Sequence, residues 1–194
     1  MAVNSNRQPF FCPTVMLMQV VKIPTERVSS LCGKDNSSLE MLMRICKVTI
    51  IPDPDGEIEI EGEAVDEFFA KDVVKAIGRG FDPNTALKLL KDNYVLKIIN
   101  LREFVHSRDS ISRIKSRIIG TEGKTKKIIE ADAECDLSIY GHTVGIISTL
   151  ETIDLAVSAV VKLIEGANHS GVYSYLEKAR RRLKEDRLKG HYGA

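Results

Sequence analysis

Two short glycine loops carry the chemistry that this sequence offers. One reads Gly120-Thr121-Glu122-Gly123, inside the stretch Ile118-Ile119-Gly120-Thr121-Glu122-Gly123-Lys124-Thr125-Lys126-Lys127-Ile128-Ile129. The other reads Gly33-Lys34-Asp35-Asn36 and lies 87 residues earlier. A helical pattern runs into each loop and another leaves it. A tight turn between two helices exposes backbone N–H groups beside a positive dipole end, and that arrangement suits a phosphate. Glycine allows both the turn and a close approach of backbone to ligand. Around the second loop Arg113, Arg117, Lys124, Lys126 and Lys127 can supply cations. Arg113 and Arg117, four residues apart, share one helical face. Ile119, Ile129 and the strand around Ser138-Ile139-Tyr140 are expected to line an apolar groove beside it. Glu122 stands at the loop tip, where it must turn outward or lower non-specific affinity. In the first loop Asn36 replaces the second glycine, and asparagine tolerates left-handed backbone better than most residues. There Lys34 supplies a cation and Asp35 offsets it.

The net charge of +1 names no partner, but its distribution does. Residues 102–127 hold eight basic and three acidic side chains, net +5, and enclose the second loop. Residues 53–72 hold nine acids and one lysine, a surface that nucleic acid should avoid.

Other chemistry is poorly represented. Cys12, Cys32, Cys46 and Cys135 show no Cys-x-x-Cys spacing and read as free thiols, mostly buried. The histidines are scattered, so neither a metal site nor a cofactor is expected. Asp53-Pro54-Asp55-Gly56 lacks the glycine and terminal-acid spacing of a calcium loop. Gly123-Lys124-Thr125 follows Gly120 too closely for a Walker A loop. No nucleophile triad is recognisable, and no catalytic residue is assigned. The chain reads as a binding protein and not an enzyme. No apolar run approaches a membrane span, and the N-terminus lacks a signal-peptide layout, so a cytoplasmic protein is expected.

The elements that must position the loops occur twice. Residues 1–13 read as a loose arm. A strand over 16–22 precedes a short helix opened by Pro24 with Val28 and Leu31 on one side. After the loop come a helix with Leu39, Leu42, Met43 and Cys46, a strand over 47–51, and a turn at 53–56. Glu57-Ile58-Glu59-Ile60-Glu61 alternates strictly, which turns the isoleucines inward. A helix over 64–77 carries Val65, Phe69, Val73 and Ile77 on one face. The order is β-α-α-β-β-α. A connector follows, capped by Asp82 with Pro83 at its first position, and carries Leu87, Leu89 and Leu90.

The order then repeats. Tyr94–Asn100 is a strand, Ile111, Ile114 and Ile118 mark a helix, and Ile128 and Ile129 follow the loop. Asp136–Tyr140 and 143–147 form a hairpin through Gly141-His142. Ser148-Thr149-Leu150-Glu151 reads as a capping box before a helix apolar at Ile153, Ala156, Val160 and Ile164. Duplication of one αβ unit is the simplest account. A tail helix has an apolar stripe of Val172, Leu176, Ala179 and Leu183, with Lys178, Arg180, Arg181, Arg182, Lys184, Arg187 and Lys189 on its other faces. The division is therefore arm 1–13, first domain with connector 14–92, second domain 93–168, and a basic amphipathic helix 169–194.

A helix–glycine loop–helix of this kind resembles the backbone clamp of KH RNA-binding modules. The stretch Ile77-Gly78-Arg79-Gly80-Phe81-Asp82-Pro83-Asn84-Thr85-Ala86-Leu87-Lys88-Leu89-Leu90 also resembles a signature of the archaeal Dim-two proteins, relatives of the eukaryotic partner-of-Nob-one. Residues 118–130, Ser138-Ile139-Tyr140-Gly141-His142-Thr143-Val144, Glu165-Gly166-Ala167-Asn168-His169 and Val172-Tyr173 agree with it. The resemblance implies an α+β fold. It consists of two type I KH domains, each a three-stranded antiparallel sheet backed by helices, plus a C-terminal helix.

The same resemblance implies binding of single-stranded RNA near the 3′ end of small-subunit ribosomal RNA during ribosome maturation. It further implies a Nob-type endonuclease and the α subunit of initiation factor two as partners, and the chain is expected to be a monomer. The loop role carries onto Gly120, Thr121, Glu122 and Gly123, and onto Gly33, Lys34 and Asp35, with Asn36 departing from the glycine pattern. Lys126 departs from the apolar residue usual in KH motifs. The first alternative reading is a protein-interaction scaffold, favoured by the acidic hairpin and the tail helix. The second is a nuclease or nucleotide-using enzyme, against which the lack of clustered metal-type acids near the basic loop speaks.

Overall fold

The structure, a computed structural model, describes residues 19–191. The expected arm and the first part of the 16–22 strand lie outside the described residues. In chain order the elements are β1 (Gln19–Lys22), α1 (Thr25–Cys32), α2 (Ser37–Cys46), β2 (Thr49–Pro52), β3 (Glu57–Glu61) and α3 (Ala64–Gly78). A short connector helix α4 (Pro83–Ala86) runs on into a 3-10 turn at Leu87–Leu90. Then come β4 (Tyr94–Asn100), α5 (Arg108–Ile119), α6 (Lys124–Asp132), β5 (Asp136–Tyr140), β6 (Thr143–Thr149), α7 (Ile153–Ile164) and α8 (His169–His191). Each unit forms a three-stranded antiparallel sheet, ordered β1-β3-β2 and β4-β6-β5.

The alternation in β3 puts Ile58 and Ile60 into the first core, fully buried with Leu31, Leu42 and Ile77. The opposite face of that sheet leaves Val20 and Ile51 exposed. In the second sheet both faces are covered. Side chains alternate along a strand, so Val144 and Ile146 enter the core of the second unit, while Ile147 joins that of the first. At Gly145 an added Cβ would lie 2.6 Å from the Phe81 ring, so Phe81 lies directly on the backbone of β6. Burial on two sides explains why all but the last residue of β6 is buried.

The segment 79–90 of the first unit therefore lies against the outer face of the second sheet. Lys88 Nζ reaches Asp136 at 2.6 Å, and Ser138 Oγ donates to the Arg79 carbonyl at 2.9 Å. Tyr140 donates to the Glu26 carboxylate at 2.7 Å, with the Arg27 guanidinium 5.6 Å from its ring. The hydrogen bond to Glu26 also raises the pKa of the Tyr140 phenol.

Three local expectations need correction. Val65 is 67% exposed; Glu67 is buried in its place and accepts from the Gly62 N–H at 3.0 Å. The capping box is absent, because Ser148 and Thr149 belong to β6 and the N-cap of α7 is Thr152. Both hydroxyls bond Thr152 Oγ1, at 2.7 and 2.9 Å. The 47–51 strand starts later, since Lys47 takes a left-handed turn that ends α2.

The tail helix docks as its stripe implies: Val172 and Leu176 are buried and Ala179 and Leu183 pack against the same core. Its far end is pinned by Arg187, which pairs with Glu134 at 3.0 Å and Glu151 at 2.9 Å. Cys32 is half-buried, and burial pushes the thiols of Cys46 and Cys135 up to about 11 and about 12, out of reach of thiolate chemistry at neutral pH.

Two outcomes follow. Gly145→Val should lower stability by about 1–3 kcal/mol through overpacking against Phe81, and an unchanged melting temperature would refute the close packing. Arg187 holds the Glu134 carboxyl below its usual 4.5, through hydrogen bonds first and charge second. A depressed carboxylate stabilises the fold above the unfolded pKa and ceases to as pH falls through the native one. Arg187→Gln should therefore melt below the parent at pH 7, with the gap narrowing below about pH 4.5; a gap that stays constant on acidification contradicts this.

Candidate nucleic-acid interface

Both loops adopt one backbone trace. Gly33 and Gly120 have φ 72° and 73°, Asp35 and Glu122 have φ 54° and 53°, and Asn36 and Gly123 have φ 61° and 75°. Asn36 thus keeps the left-handed turn without glycine. At Gly120 a Cβ would overlap the Thr125 side chain, and at Gly33 it would overlap that of Ser38. Each first glycine is fixed by the opening turn of the next helix, whose N-terminal end lies beside the loop.

The second loop lies between two flanks of α5. With about 100° per residue, Lys115 and Ile119 point one way and Arg113, Ser116 and Arg117 the other. On the first flank Ile119 stays 38% exposed, and Lys115 Nζ donates to the Gly141 carbonyl in the β5–β6 turn at 3.1 Å. Here α6 faces the edge strand β5 through Lys126, 3.7 Å from Glu130, whose carboxylate accepts the Leu137 N–H at 2.9 Å. Ile139 turns toward the helices, half-buried. The expected groove is therefore present only in part. Ile129 is fully buried in the core, and Ser138 and Tyr140 alternate away, onto the first unit.

The second flank forms a cavity of about 350 Å³ lined by Arg113, Ser116, Arg117, Gly120, Thr121, Lys124, Thr125, His169 and Tyr173. Arg117 is not a free cation. Its guanidinium donates to the carbonyls of Leu163 at 3.4 Å and Ala167 at 2.6 Å, closing the C-terminal end of α7. Arg113, Lys124 and Lys127 have no ion-pair partner among the described residues. Glu122 turns to the opposite cleft, where it lies with Lys127, Ile128 and Asp132. Sequence reasoning missed Lys115, His169 and Tyr173. The stripe Val172–Leu176 fixed the docking of α8, but nothing in it pointed Tyr173 at Thr125, whose hydroxyl it meets at 2.8 Å.

The first loop has the same shape and a different charge. At the 87-residue offset, Glu26, Ser37 and Glu40 stand where Arg113, Lys124 and Lys127 stand. Glu26 is committed to Tyr140. Lys34 and Asp35 are exposed side by side.

A β-α-α-β-β-α unit whose first two helices meet at a positive-φ glycine loop is the type I KH architecture. The family model described as eukaryotic type KH-domain (KH-domain type I), the second such domain of PNO1, matches residues 95–181. A KH domain-containing protein of Methanocaldococcus jannaschii is 38% identical over 88% of this chain and 78% of its own length. The pre-rRNA-processing protein PNO1 of Chaetomium thermophilum is 28% identical over 95% of this chain and 77% of its own. The structure resembles Dim2p in an a/eIF2alpha–aDim2p–rRNA complex from Pyrococcus horikoshii, with TM-score 0.82 and 35% identity over 88% of this chain and 97% of that one. The chain belongs to the Dim2/PNO1 family of KH-domain proteins.

The two glycines of the second loop should differ in tolerance. Gly123→Ala meets open space and carries only the left-handed backbone cost, about 1–2 kcal/mol. Gly120→Ala adds the collision with Thr125 and should be the more destabilising of the two in denaturant unfolding. Equal losses would show that Thr125 yields freely.

Proposed function

We propose that this chain binds single-stranded RNA through the loop 120–123, and that its target is precursor ribosomal RNA near the 3′ end of the small-subunit RNA. The observation that carries the reading is the charge contrast between two loops of equal geometry. Arg113, Lys124 and Lys127 surround the second loop, and Glu26, Ser37 and Glu40 surround the first. Phosphate contacts set affinity, so the second loop grips the backbone. Bases then lie along the flank of Ile119 and Lys126. The naming of relatives as pre-rRNA-processing and RNA-binding proteins supports the target class.

The first unit, with the same element order, is in this reading a second type I KH domain used mainly as a platform. Its role is to cover the second sheet. The chain acts as a cytoplasmic monomer without catalytic function. No helix among the described residues is long and apolar enough to cross a membrane.

A docking role accompanies RNA binding. Val65 and Phe68 are 67% and 60% exposed on α3, within the acidic stretch 53–72. That surface suits a protein partner with basic and apolar groups. The presence of a/eIF2alpha beside Dim2p and rRNA in the related complex supports the α subunit of initiation factor two as that partner. A Nob-type endonuclease is the second candidate.

Replacing Thr121-Glu122 by Asp-Asp should weaken RNA binding at least about tenfold, because like charges opposed at an interface cost several kcal/mol. The melting temperature should stay near the parent's, since both residues are exposed. Undiminished binding of a single-stranded ribosomal RNA fragment in that variant would sink the proposal.

A further inference from the structure

The cavity between α5 and the start of α8 lies on the flank of the loop away from the bases. No carboxylate lines it. We infer that this cavity is a second phosphate subsite, which holds a phosphodiester of the RNA strand just beyond those gripped by the loop. The inference rests on the loop reading above.

Three features of the cavity support it. The first is charge that nothing else answers. Arg113 and Lys124 lack ion-pair partners among the described residues, and both line one space of about 350 Å³ with the Arg117 guanidinium. Unpaired cations converging on a concave surface attract an anion. Lys124 also borders the cleft on the Glu122 side, so it stands between the loop tip and the cavity. A strand crossing the loop passes Lys124 into either cleft. In one, Glu122 and Asp132 offset Lys124 and Lys127; in the other, Arg113, Arg117 and Lys124 face no carboxylate and attract it.

The second feature is rigidity. The imidazole of His169 has Nε2 3.0 Å from the Arg117 carbonyl; a carbonyl only accepts, so Nε2 carries the hydrogen. Tyr173 is held by Thr125 at 2.8 Å. The wall contributed by α8 is thus fixed on both sides before any ligand arrives, which lowers the ordering cost of binding.

The third feature is the internal control offered by the repeat. The first unit has a cavity in the corresponding place, about 580 Å³, between α1, the start of α2 and the connector. Its Arg27 likewise donates to the carbonyls at the end of the third helix, to Ile77 at 3.1 Å and Phe81 at 3.0 Å. Ser30, Ser37 and Asp82 stand where the second cavity has Arg117, Lys124 and His169. One architecture is therefore kept in both units, but Arg27 is the one cation lining the first cavity and is bound to carbonyls, whereas the second adds Arg113 and Lys124.

The test compares RNA oligomers of about four nucleotides, the span of a KH groove, and about eight, on the full chain. Arg113→Gln should weaken the long oligomer at least about fivefold more than it weakens the short one, whose phosphates lie at the loop. It should also reduce the slope of log affinity against log salt by roughly 0.7, the value for one lost contact to a single strand. If Arg113→Gln changes neither oligomer while the Asp-Asp loop variant abolishes both, the subsite is refuted and the loop reading stands. If both oligomers weaken equally, Arg113 acts as a diffuse field, and the subsite is also refuted. If the parent binds neither oligomer, or the loop variant binds both normally, the loop reading fails and the subsite with it. A short oligomer that gains affinity only from an added terminal phosphate would overturn the strand-spanning form.

Discussion

The contact on which the rest depends is the approach of Gly120 to Thr125, mirrored by Gly33 and Ser38. Each glycine lies so close to the first turn of the following helix that no Cβ fits between them. That closeness forces positive φ at the glycine and twice more along the loop. The loop then projects at a fixed angle beside the opening amides of α6, of which the Lys124 N–H is already taken by the Thr121 carbonyl. A phosphate clamp needs these amides preorganised, because a mobile turn would have to be ordered on binding. Thr125 is itself held by Tyr173 of α8. The C-terminal helix is therefore mechanically part of the loop, although it follows the repeated fold in sequence.

The second constraint is the double burial of the sheet β4-β6-β5. One strand period sends alternate side chains to two different cores, and that leaves no freedom in register. The first unit contributes Phe81, Lys88 and the Arg79 carbonyl to the outer face; the second contributes its own helices to the inner face. Rigid placement of the second loop follows from this covering. The first unit pays no such debt in return, since the outer face of its own sheet stays open at Val20 and Ile51.

The two-fold β-α-α-β-β-α order was legible from periodicity, and so were the turn at 53–56, the Asp82 cap and the apolar stripe of α8. The loops were legible because glycine and left-handed backbone are tied by sterics. What failed to read were choices between equally apolar alternatives. Ser138-Ile139-Tyr140 alternates plainly, but its two faces meet two cores, and sequence alone did not say which one the loop shares. Ile129 has the same hydrophobicity as a groove residue and is fully buried. Arg117 lies on the same helical face as Arg113, yet a helix C-terminus 46 residues away takes its donors. Ser148-Thr149-Leu150-Glu151 fits a capping box, but pairing with β4 holds Ser148 and Thr149 in a strand. In each case a long-range partner decided, and such partners leave no local trace.

Equal loop geometry with unequal charge is the core of the functional account. Amide chemical-shift mapping on the nitrogen-labelled full chain, titrated with single-stranded small-subunit ribosomal RNA, tests it most directly. The account predicts the largest shifts at 120–127, with smaller ones at Arg113 and Ile119 and almost none at 33–37. Shifts concentrated at 33–37 or across the acidic stretch 53–72, with 120–127 silent, would contradict it.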